Sequence, residues 1–185
     1  IICHDIGIDS SLMSWIYSFS DGFKLQNNFW LEKFFHKGGV LFVGAIAIAI
    51  LIRILDLLKS YSQSKSIIYK EKIFELTFLF VAVLISVLLI KYLKSITTLP
   101  CPWNLKIYGG SREFQTFSTL FDYEHRIGHC FPAGHASAGY GFLALYFAKS
   151  LFNKPQLKYL LPGLILGVLY GLTQQFRGAH FLSHD

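Results

Sequence analysis

Two histidines carry the chemistry this sequence could perform. His135 follows the turn Phe131-Pro132-Ala133-Gly134 and opens an apolar run, while His180 lies in Arg177-Gly178-Ala179-His180-Phe181-Leu182-Ser183-His184-Asp185. One imidazole can attack phosphorus and a second can protonate the leaving oxygen. Lys94 and Arg177 can neutralise phosphate oxygens, Lys as a point charge and Arg as a bidentate fork. The helix entry after Gly134 offers unpaired backbone N–H groups to an anion. A carboxylate beside the attacking ring, which Asp185 could supply, would fix its tautomer. Together these residues read as a phosphate-handling site, provided that their segments share one side of the structure that carries them.

That structure is a membrane bundle. The chain is 53% hydrophobic and 17% aromatic with only 15% charged residues, and its mean hydropathy is +0.45. This is too apolar for an ordinary soluble domain. The net charge of +6 comes from Lys and Arg in short loops between apolar runs, and no nucleic-acid recognition signature is present. Four runs, Val40–Leu58, Ile73–Leu93, Ala136–Phe152 and Leu157–Thr173, are each ~17–21 residues, enough to cross ~30 Å of hydrocarbon as helices. The stretch from Thr173 onward reads as the entrance of a fifth. Gly163, Gly167 and Gly171 form a small-xxx-small ladder, the pattern of close helix packing. Residues 1–39 alternate aromatics such as Trp15, Phe19, Phe29 and Trp30 with polar groups, as an interfacial or external segment would; residues 40–185 form the membrane domain.

Loop charge sets the orientation. Lys59, Lys65, Lys70 and Lys72 crowd the first connection, and Lys149, Lys154 and Lys158 flank the third. The positive-inside rule places both in the cytoplasm. The segment from Lys94 to His135 and the residues after the fourth run then share the external face, so both histidine clusters meet there.

The order and spacing of these residues resemble the type 2 phosphatidic acid phosphatase (PAP2) superfamily, which includes the vanadium haloperoxidases. Its pattern runs Lys, six residues, Arg-Pro; then Pro-Ser-Gly-His; then Ser-Arg, five residues, His, three residues, Asp. Here Lys94 is followed after six residues by Cys101-Pro102, and Pro132-Ala133-Gly134-His135 matches the second motif with Ala for Ser. The string Gly178-Ala179-His180-Phe181-Leu182-Ser183 resembles the Gly-x-His-Tyr-Pro-Ser around the family's nucleophile. The similarity covers about Lys94 to Asp185, half the chain. The departures fall around His180: Gln174 holds the usual Arg position, Arg177 lies one helical turn before His180, and His184 holds the usual Asp position, with Asp185 one residue later. A second register makes His184 the nucleophile; the surrounding string favours His180. Arg177, His180 and His184 are expected to project from one helical face.

The resemblance implies an all-α bundle, commonly of six spans, so further spans are expected before Ile1 and beyond Asp185. It implies that His180 forms a phosphohistidine, that His135 protonates the leaving alcohol, and that Lys94 and Arg177 hold the oxygens, with neither metal nor other cofactor. The expected protein is a bacterial inner-membrane phosphatase facing the exterior and acting on a lipid phosphate or pyrophosphate in the bilayer. The alternatives are a lipid-to-lipid phosphotransferase and a non-catalytic transporter or scaffold. The substrate lipid and the oligomeric state are not legible. A zinc site built on the i,i+4 pair His180 and His184 is disfavoured because Lys94 and Arg177 would repel a cation. Cys101 and Cys130 each immediately precede a motif. A disulfide between them would close a loop of about 30 residues, with ~3 kcal/mol of chain-entropy stabilisation, and tie two motifs together where the family's Arg is absent. Cys3 has no assigned partner. His4, His36, His125 and His129 read as solvated loop residues, as do Arg112 and Arg126.

Overall fold

The computed structural model describes residues 7–121, 128–154 and 156–185, which contain helices and no strand. Cys3, His4, His125 and Arg126 lie outside the described residues. Helix α1 spans Ile8–Phe19. A π-helical stretch over Trp30–Lys37 then runs directly into α2, Gly38–Ser64. A left-handed Lys65 (φ 55°) reverses the chain into α3, Ile67–Ile96. After a long loop come α4 (Gly134–Tyr140), a 3-10 turn over Gly141–Leu143 and α5 (Ala144–Ser150). A second 3-10 turn, Leu157–Leu160, leads into α6, Leu161–Phe176, with Pro162 in its first turn, where a missing N–H costs nothing.

Three of these helical stretches, Trp30–Ser64, Ile67–Ile96 and Leu157–Phe176, are long and apolar enough to cross a membrane. The run Val40–Leu58 thus sits inside a helix that extends beyond it on both sides. The run Ala136–Phe152 is helical too, but as α4, a tighter turn beginning at Gly141, and α5, rather than as one α-helix. Leu41, Ile48, Leu55, Leu88 and Ile165 point outward; water would penalise such a surface and lipid does not. The molecule is an all-α membrane bundle.

Close approach of α4 to α6 holds it together on one side. A Cβ on Gly139 would lie 2.5 Å from the Gly167 nitrogen, and one on Gly167 would lie 2.2 Å from the Tyr140 ring. Neither position admits a larger residue without separating the helices. At one end of the bundle Lys149 of α5 donates to Glu75 of α3 at 2.5 Å, and Asn153 donates to the same carboxylate at 3.3 Å. Lys94 is 19 residues further along α3, about 28 Å away at 1.5 Å per residue. The histidine clusters lie with Lys94, at the opposite end from that ion pair.

The residues from Thr173 onward do not begin a fifth helix. Thr173 to Phe176 are the last turn of α6, and Gly178 (φ 74°) ends it. The Gly178 N–H donates to the Gln175 carbonyl at 2.8 Å and the Ala179 N–H to the Gln174 carbonyl at 2.9 Å, the paired bonds of a Schellman termination. Arg177, His180 and His184 therefore do not share a helical face: Arg177 caps α6, His180 is in the extended segment beyond it, and His184 ends a 3-10 turn over Leu182–His184.

Candidate active site

Four segments converge at this end of the bundle. The end of α3 supplies Lys94, the first turn of α4 supplies Gly134 and His135, the C-terminal segment supplies Arg177, His180 and His184, and the start of the first long helix supplies His36. The loop ahead of α4 is stitched to its neighbours. Thr97 Oγ1 donates to the Phe131 carbonyl, the Cys130 N–H donates to the Leu99 carbonyl at 3.2 Å, and the Ala133 N–H donates to the His184 carbonyl at 2.7 Å. Cys101 and Cys130 are joined by a disulfide, with Cα atoms 5.2 Å apart. The Phe131–Pro132 peptide is cis.

His180 is 4% exposed, and the charges acting on its ring belong to Lys94, His184 and His135. Burial, then the Lys94 charge, holds this imidazole well below its ordinary range and so neutral. Burial first, then His36 and Lys94, pushes His135 down to about 4. The His184 ring sits behind His180, centroids 5.9 Å apart, against Phe131 (5.8 Å) and Phe181 (5.3 Å). Asp185 is engaged elsewhere, accepting from Gln175 Nε2 at 2.5 Å beside Gly171, and burial lifts its carboxyl to about 6. The side chain that meets His180 edge to face is His184.

Arg177 is buried at the end of α6. Its Nη1 donates to Gln174 Oε1 at 2.9 Å, its Nε donates to the Gln26 carbonyl at 2.9 Å, and its guanidinium lies 5.9 Å from the centre of the Trp103 ring. Gln174 occupies the usual Arg position, so the displaced Arg177 is fastened by the residue that replaces it. One turn of helix separates the two, which keeps the guanidinium in the same neighbourhood.

Three residues here escaped the sequence reading. The His36 ring stacks on His135, with centroids 4.2 Å apart and planes at 28°, so it is not a solvated loop residue. Asp9 of α1, 1% exposed, accepts from the Ser183 N–H at 3.0 Å and from Ser183 Oγ. His129 Nδ1 lies 2.9 Å from the Lys94 carbonyl. Each acts across a large separation in sequence, and the one local signal was an acidic residue at the start of an amphipathic helix. Arg112 stays in its loop, its N–H donating to the Asn104 carbonyl at 2.7 Å. Among the described residues no group of His, Cys, Asp and Glu side chains is arranged to hold a metal ion.

A cavity of about 620 Å³ opens beside His135. Its walls are apolar side chains of α2, α3 and α4, among them Val43, Ile50, Phe80 and Val87, and its polar end carries Lys91, Lys94 and His135. The fold and this arrangement define a helical membrane protein with histidines and lysines gathered at one end of its bundle. The sequence profile of the PAP2 superfamily matches residues 75–184, more than half of the chain, and the chain belongs to that superfamily, whose members are in general phosphatases. No curated protein and no solved structure gives a significant match.

Proposed function

We propose that this chain is an integral-membrane lipid phosphatase that releases phosphate from a lipid phosphate monoester or pyrophosphate through a phosphohistidine. The observation that carries this reading is the cavity: apolar walls enclosing about 620 Å³ meet two lysines and His135 at one end. An amphiphile with its chain in that cleft would present its phosphate to the histidines, whereas a soluble ester would leave the apolar wall unused.

The steps follow from the residues. Lys94 and Arg177 hold the phosphate oxygens, aided by backbone N–H groups after Gly134. The neutral His180 attacks phosphorus, and the P–O bond to the lipid alcohol breaks as the P–N bond forms. His135 donates its proton to the departing oxygen. Burial leaves His135 unprotonated in the empty site; an anionic phosphate beside it favours the imidazolium. Water, deprotonated by His135, then attacks the phosphohistidine and releases phosphate. His184 supports the His180 ring, and Asp185 supports that segment through Gln175.

Loop charge supports an external site, with residues 1–39 as the interfacial segment and residues 40–185 as the catalytic domain in a bacterial inner membrane. A panel of purified lipid phosphates and pyrophosphates in proteoliposomes tests the assignment through released phosphate. Turnover of at least one member is expected, with His135→Ala and His180→Ala each abolishing it. Unchanged turnover in either variant refutes the roles given, and phosphate recovered on a second lipid instead makes the chain a phosphotransferase.

A further inference from the structure

His36 sits on the π-helical stretch Trp30–Lys37, a wide-turn geometry that recurs at functional sites. Three residues on, Gly39 lets the Tyr170 ring of α6 approach to 3.0 Å of where a Cβ would be, which brings this helix start against the site. The result is the parallel stack of His36 on His135. Both rings carry a buried nitrogen, Nδ1 of His36 and Nε2 of His135, with no hydrogen-bond partner among the described residues. Nε2 of His135 is thus left without a partner, while residue 36 confines the imidazole twice, through a hydrogen bond between its backbone and the His135 ring and through its own stacked ring.

We propose that His36 is a positioning residue for His135, holding its imidazole so that Nε2 points at the leaving oxygen. This rests on His135 being the general acid. The charges that act on the pair belong to Arg177, Lys94, Lys37 and Glu32, the last two paired at 2.8 Å on the same stretch as His36.

Leaving-group dependence separates positioning of an acid from general support of the fold. An alkyl phosphate needs a proton on its departing oxygen; a nitrophenyl phosphate bearing the same alkyl chain departs as a stable phenolate and does not. His36→Ala is expected to lower kcat on the alkyl ester about ten-fold, with KM within about two-fold, and to leave the nitrophenyl ester nearly unchanged. His36→Phe keeps a flat ring over His135 and is expected to recover most of the loss. An equal loss on both esters, or a Phe variant as impaired as Ala, overturns the proposal. His135→Ala is run beside them. If it shows no selective loss on the alkyl ester, the acid assignment fails and the positioning role with it. If it shows that loss and His36→Ala does not, only the role of His36 fails.

Discussion

His135 and His180 are kept neutral by the same circumstance, burial beside the Lys94 charge, and that has a consequence for stability. In the unfolded chain a histidine binds its proton near 6.5; in the fold His135 does so at about 4. Between these values the unfolded chain holds more protons, so His135 makes stability fall as pH drops from about 6.5 towards 4. His180 is displaced in the same direction. Asp185, raised to about 6, works oppositely, favouring the fold while it is protonated and losing that contribution as pH rises through 6. Comparing wild type with His135→Asn cancels the other two. On going from about pH 7 to about pH 5, the melting temperature of wild type should fall by a few degrees more than that of the variant, at roughly 2–4 °C per kcal/mol. Parallel curves would contradict the burial argument. His135, His180, Lys94 and Arg177 could be picked out in the sequence because each stands in a motif with fixed spacing. His36 could not, since it meets His135 across 99 residues of sequence.

Helix α1 and the segment after it clasp the C-terminal loop at three points. Asp9 accepts from Ser183, the Gln26 carbonyl accepts from Arg177, and the Phe23 ring lies where a Cβ on Gly178 would be, 2.7 Å away. The clasp is backed by Met13, Ile16, Phe23, Leu105, Tyr108 and Phe181 packed as one apolar cluster. Asp9→Ala would leave the part-buried Ser183 N–H and hydroxyl without that acceptor, at a cost of about 1 kcal/mol. Thermal unfolding in detergent should show the loss, together with reduced turnover because Ser183 sits between the two C-terminal histidines. An unchanged melting temperature would show that the clasp contributes nothing. The amphipathic, aromatic-rich character of this region was readable, but its docking was not, because a buried Asp on a helix looks like any other first-turn acid. The end of α6 was misread for a related reason: Gly178 is a stop signal, and the apolar pattern continuing past Thr173 outweighed it.

The bundle as a whole separates two polar ends by the length of a membrane helix. Glu75, Lys149 and Asn153 close one end, and the histidines with Lys94 and Arg177 occupy the other, with the apolar cavity running inward from them. Hydrophobic runs and glycine spacing made the all-α membrane architecture legible, since both follow from having no water to satisfy the backbone. The cavity was not legible, because it depends on how three helices splay and not on any one of them. The proposed hydrolysis requires a covalent step at His180. Rapid quenching of turnover with a lipid phosphate labelled at phosphorus should trap a phosphoprotein that is labile to acid and stable to base. The label should map to His180, vanish in His180→Ala and persist in His184→Ala. Label on His184, or full turnover by His180→Ala, would contradict the account.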